Sequence, residues 1–116
     1  MADFDPTCIF CQIAVREIPT PLVAESAEAV AFRDLDPKAP VHVLVIPRRH
    51  VPSLAEARDA ELLGAVLELA AQVARQEGLE DGGYRTVINT GGHAGQTVPH
   101  LHAHVLGGRH MAWPPG

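Results

Sequence analysis

The spacing of apolar residues along the chain predicts one long helix over residues 60–77. Its apolar positions recur at intervals of three and four, which places them on one helical face. These positions are Leu62, Leu63, Val66, Leu67, Ala70 and Val73. Asp59 can cap the amino end of this helix, and Gly78 can take the left-handed conformation that ends it. A shorter helix is predicted to begin at Asp5-Pro6, as N-cap and first helical position, and to run to about Arg16.

Five shorter segments rich in aliphatic and β-branched residues predict strands. They cover residues 22–26 and 29–34, which predict a hairpin, and residues 41–46, 84–89 and 100–106. Ser53 and Glu56 have the spacing of a capping box and predict a short helical turn. Few helices, with strands joined mostly by short connections, predict an α+β fold in which the long helix covers an antiparallel sheet. The 116 residues are expected to form a single domain over residues 1–116.

Composition and charge exclude several classes of protein. Nine basic and fourteen acidic side chains give a net charge of −5, without the basic run that nucleic-acid binding favours. The longest apolar stretch, residues 62–74, is interrupted by Glu68 and Gln72 and is shorter than the ~20 residues of a membrane span. The acidic start of the chain lacks the apolar region of a signal peptide. Two cysteines are too few for a disulfide framework, so we expect a cytoplasmic protein. The charge and the apolar stretches together predict neither nucleic-acid nor membrane partners.

Histidine is the unusual component of the sequence. Five of the seven histidines lie within residues 93–110: His93, His100, His102, His104 and His110. The alternation His100-Leu101-His102-Ala103-His104 predicts a strand with three imidazoles on one face and apolar side chains on the other. His100 and His104 would lie about 13 Å apart along such a strand, so a pair could share a metal ion but the trio could do so only at full reach. We therefore interpret this row as functional.

The loop before this row supplies groups suited to an anion. Gly91, Gly92 and Gly95 allow backbone N–H groups to turn toward a ligand, and Gln96 and Thr97 add side-chain donors. Beside a row of histidines, such a loop predicts a phosphate or oxyanion cradle. A neutral imidazole can attack phosphorus and be displaced again, so phosphoryl chemistry fits these residues.

The pair Cys8 and Cys11 allows three interpretations: buried cysteines in an apolar helix, a redox pair, or half of a zinc site. No βαβ pattern surrounds the pair, which weakens the redox interpretation. A zinc site would need two more ligands, for which His50 and His100 are the candidates.

Other polar and aromatic residues have structural or open interpretations. His42, within an apolar strand, predicts a core or interface histidine whose hydrogen bonds are satisfied, whereas His93 and His110 are expected to be solvated. Asp34 is either a turn residue or an acceptor for hydroxyl groups. Trp113, the only tryptophan, predicts docking of the chain end against its own domain or a second subunit.

Together these residues resemble the histidine triad (HIT) superfamily, and specifically its Hint branch of nucleoside phosphoramidases. The resemblance covers nearly the whole chain. The matching motifs are Cys8-Ile9-Phe10-Cys11-Gln12-Ile13, residues 32–40, residues 43–50, Gly83-Tyr84-Arg85, Asn89-Thr90-Gly91 and residues 95–109. The tail Trp113-Pro114-Pro115-Gly116 is similar to the Hint branch rather than to the dinucleoside polyphosphate hydrolases.

The resemblance implies a HIT-like fold and a homodimer whose two sheets join across the interface. Residues 107–116 would lie at that interface, with Trp113 reaching the site of the partner. The implied substrates are purine nucleoside monophosphates bearing an amine or acyl leaving group. His102 would form a nucleotidyl-histidine, from which water releases the nucleoside monophosphate. The residues implied to assist His102 are His100, His104, Gln96 and Thr97.

The matching motifs imply further binding residues. Asp34 would accept hydrogen bonds from the ribose hydroxyls, and Asn89 and Gly95 would complete the phosphate wall. The implied base pocket consists of Ile9, Phe10, Ile13, Phe32 and Leu35. The implied ligands of a structural Zn²⁺ are Cys8, Cys11, His50 and His100. No organic cofactor is expected.

Two positions depart from the pattern of the branch. Thr97 stands where serine is common, and its extra methyl group could narrow the choice of leaving group. Ala103 is smaller than the usual apolar residue between the second and third histidines. Since His100 is implied both as a metal ligand and as a triad member, we expect the chemistry from His102 and structural support from His100. The alternative functions are a dinucleoside polyphosphate hydrolase and a non-catalytic nucleotide- and zinc-binding module.

Overall fold

In the computed structural model, which describes residues 3–116, five strands form one antiparallel sheet. The strands are β1 (Leu22–Glu25), β2 (Ala29–Arg33), β3 (Val41–Pro47), β4 (Tyr84–Val87) and β5 (Ala103–Gly107). Their order is β1-β2-β3-β5-β4, with every neighbouring pair antiparallel. The helical elements described are α1 (Ile9–Ala14), α2 (Ala60–Gln76) and the short 3₁₀ turns Leu54–Glu56 and Gly92–Ala94. The predicted α+β fold is confirmed.

Helix α2 begins and ends as its sequence predicts. The Asp59 side chain accepts hydrogen bonds from the backbone N–H groups of Glu61 and Leu62 at 3.0 and 3.2 Å, and Gly78 takes a positive φ of 73° after its last turn. The buried stripe differs in part from the prediction, because Leu67 is half exposed. The buried residues of α2 are Leu62, Val66, Leu69, Ala70, Val73 and Ala74. The helical period rotates Leu67 away from this stripe and brings Leu69 into it.

The sheet is covered on both faces, and the alternation of side chains along β3 shows how. Val43 and Val45 pack in the cluster that includes the buried face of α2, whereas Leu44 and Ile46 pack in a second cluster that includes α1. A strand buried on both faces has a continuous apolar run, as β3 does. On β5, Ala103 and Val105 join the α2 cluster, so His104 projects from the opposite face.

Helix α1 starts later than predicted. Its N-cap is Cys8, whose Sγ accepts a hydrogen bond from the Cys11 backbone N–H at 3.4 Å, so the prediction of Asp5 as N-cap is wrong. Asp5 instead closes a turn by accepting from the Thr7 backbone N–H and hydroxyl at 2.9 and 2.7 Å. The Ser53 side chain likewise caps nothing, although the 3₁₀ turn that it precedes is present.

Two predicted strands are shorter than expected. Strand β4 ends at Val87, and β5 begins only at Ala103. The segment before β5 leaves the ladder because the Leu101 backbone N–H donates to the Val51 carbonyl at 2.7 Å, beyond the end of β3. His100 and His102 therefore precede the strand that carries His104. No helix within residues 3–116 is both long and apolar enough to cross a membrane.

Candidate active site

The centre of the candidate site is His102, whose ring is held in one tautomer. Its Nδ1–H donates to the backbone carbonyl of His100 at 2.7 Å. A carbonyl oxygen only accepts, so in the neutral ring Nδ1 carries the proton and Nε2 keeps a lone pair. The residue is 6% exposed, and the edge of Phe10 packs against it at 5.2 Å between ring centroids. His102 is thus a buried, oriented imidazole with an unprotonated nitrogen, as a nucleophile requires.

His104, at 5.1 Å between ring centres from His102, has the opposite tautomer. The Lys38 backbone N–H donates to His42 Nδ1 at 3.0 Å, which leaves the proton of His42 on Nε2. That Nε2–H donates to His104 Nδ1 at 2.9 Å. The proton of His104 therefore lies on its own Nε2, which is buried and has no hydrogen-bond partner within residues 3–116. A buried donor of this kind is suited to an anionic ligand.

His42 is the residue whose contact with the triad the sequence does not predict. The expectation of a buried, hydrogen-bonded histidine is confirmed, since the residue is 6% exposed, but no link to the triad was predicted. In the β3–β5 register, Leu44 lies opposite His104 and His42 lies opposite Leu106. His42 and His104 are therefore diagonal neighbours on one sheet face. The signal in the sequence is a single histidine in an otherwise apolar strand.

Asp34 is a turn residue, and its role as an acceptor for hydroxyl groups stays a prediction. As a turn residue, its Oδ1 accepts from the Asp36 backbone N–H at 2.8 Å. Its Oδ2 lies 3.4 Å from His42 Nε2, at the outer limit of a hydrogen bond. The half-buried carboxylate thus stands beside the histidine pair with an oxygen available to accept a hydrogen bond.

Burial keeps His42, His100 and His104 uncharged near neutral pH. It lowers the pKa of His104 to about 4, with smaller contributions from the neighbouring rings of His102 and His42. Burial also lowers the pKa of His42, against the opposing influence of Asp34. His100, which is fully buried, has a pKa lowered to about 4, again chiefly through loss of solvation. The tautomers described above require neutral imidazoles, which loss of solvation favours.

The glycine-rich loop is held together by Gln96. The Gln96 Oε1 accepts from the Gly91 backbone N–H at 3.0 Å, and its Nε2 donates to the Pro52 and Val98 carbonyls at 2.7 and 3.1 Å. Gly91 and Gly95 have φ values of 81° and 88°, which favour glycine. Gln96 therefore shapes the loop, and its contact with phosphate stays a prediction. Thr97 is exposed beside it, and Asn89 is half-buried just after β4.

The predicted base-pocket residues are only partly brought together. Phe10, Ile13 and Phe32 are buried in one cluster, with the Phe10 and Phe32 rings edge to face at 5.5 Å. Ile9 is half exposed, and Leu35, in the turn between β2 and β3, is fully exposed. The structure thus supplies an apolar wall beside His102, formed by α1 and β2.

A second constellation lies beside the triad. The two sulfurs and two ring nitrogens of Cys8, Cys11, His50 and His100, here called the cysteine–histidine cluster, lie within 4.8 Å of one another. Cys8 Sγ and Cys11 Sγ lie 3.4 and 3.5 Å from His100 Nδ1, and Cys11 Sγ lies 3.3 Å from His50 Nδ1. Tetrahedral zinc with bonds of about 2.1–2.3 Å separates its ligand atoms by about 3.4–3.8 Å. These contacts match that geometry closely.

The hydrogen bonds and the donor chemistry of the cluster also fit zinc. His100 Nε2–H donates to the Pro47 carbonyl at 2.9 Å, so the lone pair of its Nδ1 faces the sulfurs. A zinc-binding histidine characteristically donates its other ring N–H to such an acceptor. Burial raises the pKa of the Cys11 thiol to about 11, and a cation between the sulfurs would stabilise its thiolate. Two thiols and two imidazoles are a donor set that prefers zinc.

The carboxyl-terminal tail lies against the edge strand. The Arg85 guanidinium donates to the Ala112 carbonyl at 3.0 Å and lies over the Trp113 ring, 5.8 Å from its centroid. Trp113 nevertheless remains 81% exposed. Within residues 3–116 the tail therefore contacts its own domain, and the indole keeps most of its surface available.

Comparison with known proteins agrees with this geometry. The model of the HIT domain family matches residues 15–111 of the chain. The matched part contains Asp34, His42, His50 and the three triad histidines. The chain belongs to the HIT domain family.

Relatives of this HIT protein cover nearly all of its length. An uncharacterized HIT-like protein from Synechococcus elongatus is 54% identical over 110 residues, which are 93% of this chain and 96% of the relative. A 14 kDa zinc-binding protein from Zea mays is 51% identical over 118 residues, covering 98% and 91%. The crystal structure of a HIT family hydrolase from Legionella pneumophila superposes with a TM-score of 0.91 at 46% identity, covering 95% of this chain and all of that one.

These comparisons settle the family and its coarse activity class. The protein is a HIT hydrolase-like protein. Cys8 and Cys11 precede the part matched by the family model, but the zinc-binding relative covers almost the whole chain. In this HIT protein, therefore, two of the four residues of the cysteine–histidine cluster, His50 and His100, lie within the part that the family model matches.

Proposed function

We propose that this HIT protein cleaves purine nucleoside phosphoramidates, or acyl nucleotides, to a nucleoside monophosphate. The observation that carries the proposal is the lone pair on His102 Nε2, which follows from the hydrogen bond of Nδ1–H to the His100 carbonyl. The lone pair attacks phosphorus, the bond from phosphorus to the leaving group breaks, and the leaving group takes a proton from solvent, to which the water of the second step returns one. Water then cleaves the phosphorus–nitrogen bond to His102 and releases the nucleoside monophosphate.

The groups around His102 fit an anionic nucleotide. The Nε2–H of His104 is a buried donor without a partner among the described residues, and we assign it to a phosphate oxygen. The loop that contains Gly95, Gln96 and Thr97 contributes backbone and hydroxyl donors near the phosphate and the leaving group. His100 supports His102 through its backbone carbonyl. The net charge of −5 is compatible with this substrate because binding depends on local donors.

The nucleoside would extend from His102 over α1 and β2. Buried Phe10, Ile13 and Phe32 offer an apolar surface to a purine, and Asp34 offers an acceptor to the ribose hydroxyls. Ile9 and Leu35, exposed in this chain, would close over the base when it binds. Asn89 would complete the wall around the phosphate.

The proposal includes a homodimer of single domains, each formed by residues 1–116. The exposed edge of β4 lies beside Gly78 and Gly108–Met111, and a groove of about 430 Å³ runs along it. A second copy could extend the sheet there, because an edge strand presents unpaired backbone groups. Residues 107–116 would lie at this interface, with the exposed Trp113 entering the site of the partner.

The same proposal assigns Zn²⁺ to the cysteine–histidine cluster, with Cys8, Cys11, His50 and His100 as ligands. When bound, zinc supplies structural cross-linking and no acid or base chemistry, since all four positions would be filled by protein ligands. The two free cysteines fit a protein of the reducing cytoplasm.

Turnover of adenosine phosphoramidate by the parent protein and by His102→Ala tests the proposed reaction. We expect activity only in the parent, and a nucleoside-monophosphate adduct on His102 in a quenched mixture examined by mass spectrometry. Equal rates in the two proteins would contradict the proposal. Faster turnover of a dinucleoside polyphosphate would favour that substrate class, and nucleotide binding without any turnover would favour a non-catalytic module.

A further inference from the structure

His100 connects the cysteine–histidine cluster directly to the nucleophile. Its ring Nδ1 lies 3.4 Å from Cys8 Sγ and 3.5 Å from Cys11 Sγ, and its Nε2–H donates to the Pro47 carbonyl at 2.9 Å. Its backbone carbonyl accepts the His102 Nδ1–H at 2.7 Å. Since His100 is fully buried, its ring and its carbonyl cannot move independently of these neighbours. A change at the sulfurs therefore reaches the acceptor that orients His102.

Helix α1 makes a second connection between the two sites. Phe10, between Cys8 and Cys11 in sequence, packs edge-on against both His100 and His102, at 5.9 and 5.2 Å between ring centres. The helix has only 6 residues, fewer than the ~12 that an isolated helix needs. Its position therefore depends on packing and on the contacts of Cys11 and of the N-cap Cys8 within the cysteine–histidine cluster. The Phe10 ring beside the nucleophile therefore belongs to the same helix as Cys11, and Cys8 is the N-cap of that helix.

We propose that metal binding by the cysteine–histidine cluster and nucleotide binding at His102 are thermodynamically coupled. The loaded cluster holds the His100 carbonyl and the Phe10 ring in the arrangement that receives a nucleoside monophosphate. His100 and Phe10 act as positioning residues, and the inference rests on the proposed function of the site. Coupling is reciprocal, so the nucleotide must raise the affinity for the metal by the same factor as the metal raises the affinity for the nucleotide.

The experiment measures both sides of this coupling in the full chain. Calorimetry gives the affinity of zinc-loaded and metal-free protein for adenosine monophosphate, and competition with a chromophoric chelator gives the affinity for zinc with and without that nucleotide. We expect the two factors to agree and to be about fivefold or larger. Nitrogen NMR of the His102 ring provides a signature separate from activity. The loaded protein should show protonation at Nδ1, and the metal-free protein should show exchange between tautomers.

Matched variants separate positioning from general stability. Val73→Ala removes a fully buried side chain from the opposite face of the sheet, so it should lower the melting temperature and leave the coupling factor unchanged. Phe10→Leu keeps an apolar residue but removes the ring that touches both histidines, so it should reduce the factor.

Three outcomes would overturn the inference. Equal nucleotide affinity with and without zinc would refute the coupling while leaving the proposed function intact. Complete unfolding on metal removal would show that the metal serves folding as a whole. Absence of nucleotide binding in both forms would refute the proposed function and the coupling together.

Discussion

His42 Nε2–H donates to His104 Nδ1 across the β3–β5 pair at a distance of 2.9 Å. A third residue determines which ring donates, because the Lys38 backbone N–H donates to His42 Nδ1 and leaves the proton of His42 on Nε2. One backbone amide therefore determines which nitrogen of His104 carries a proton. A histidine beyond the triad thus fixes the chemistry of a triad member, as neighbouring groups do for metal-bound and catalytic imidazoles.

Replacing His42 with phenylalanine should impair turnover more than binding. An aromatic ring is kept at this position, but His104 Nδ1 loses its donor and the proton of the neutral imidazole can then lie on either nitrogen. We expect kcat for adenosine phosphoramidate to fall by about 10- to 100-fold, by analogy with the loss seen when the hydrogen-bond partner of a metal-bound imidazole is removed. The measurement is steady-state kinetics on purified protein.

His93→Gln is the matched control, since this exposed histidine has no hydrogen bond through its ring within residues 3–116. It should behave as the parent. His42→Gln, whose amide can donate to His104, should restore part of the rate lost in the phenylalanine variant. A His42→Phe protein with unchanged kcat would contradict the assigned tautomers.

Much of this fold was predictable because local signals and burial agree. The Asp59 cap, the Gly78 terminus and the apolar, β-branched run of β3 each specify an element within a short stretch of chain. Predictions were wrong where a residue that could cap a helix or join a strand makes a different hydrogen bond. Asp5 closes a turn with Thr7 in place of capping α1. The Leu101 backbone N–H bonds to the Val51 carbonyl, a contact between distant residues that no sequence pattern indicates.

The candidate site was predicted by residue type more than by arrangement. The alternation of the triad predicts three imidazoles on one face of a strand, but His100 and His102 precede the strand, which begins at Ala103. His100 turns toward the cysteines and is fully buried, whereas His104 pairs with His42. Both contacts join residues more than sixty positions apart, and only the sheet register fixes the second.

Metal content provides a direct test of the cysteine–histidine cluster. Protein purified without a tag or chelator should contain one equivalent of zinc by elemental analysis, because two thiols and two imidazoles lie at tetrahedral spacing. Cys8→Ala should lose most of that metal and unfold at a lower temperature, since structural zinc contributes to folding. His102→Ala is the control and should retain its zinc, because His102 lies outside the cluster. Less than one equivalent in the parent, unchanged in Cys8→Ala, would refute the site.

Stability should decrease on mild acidification. Burial lowers the pKa of His104 to about 4 and lowers the pKa of His42, whereas both titrate near about 6.5 in an unfolded chain. The unfolded state therefore binds more protons, so their contribution is fully present above about pH 6.5 and is lost as the pH falls toward 4. Urea unfolding of metal-free protein should show a midpoint that falls between about pH 7 and pH 5, above the range in which carboxylates titrate.

The variant His104→Gln controls this measurement. It removes one of the three histidines whose pKa burial lowers, which are His42, His100 and His104, so the unfolding midpoint should depend less steeply on pH than in the parent. Parallel curves for the two proteins, or a parent midpoint that does not change with pH, would contradict the burial of neutral His104.

Releasing the tail from Arg85 should be visible in the fluorescence of the only tryptophan. Arg85→Ala removes the hydrogen bond to the Ala112 carbonyl and the cation over the Trp113 ring. The indole is already 81% exposed in the single chain, so in dilute protein, where the monomer predominates, the emission maximum should change little while the anisotropy falls, because the tail gains motion. At an exposed site the cation–π contact contributes only about 0.5–1 kcal/mol, so the melting temperature should be nearly that of the parent. Arg58→Ala, an exposed arginine outside this contact, should leave the anisotropy unchanged, and a rigid Trp113 in Arg85→Ala would show that something other than Arg85 holds the tail.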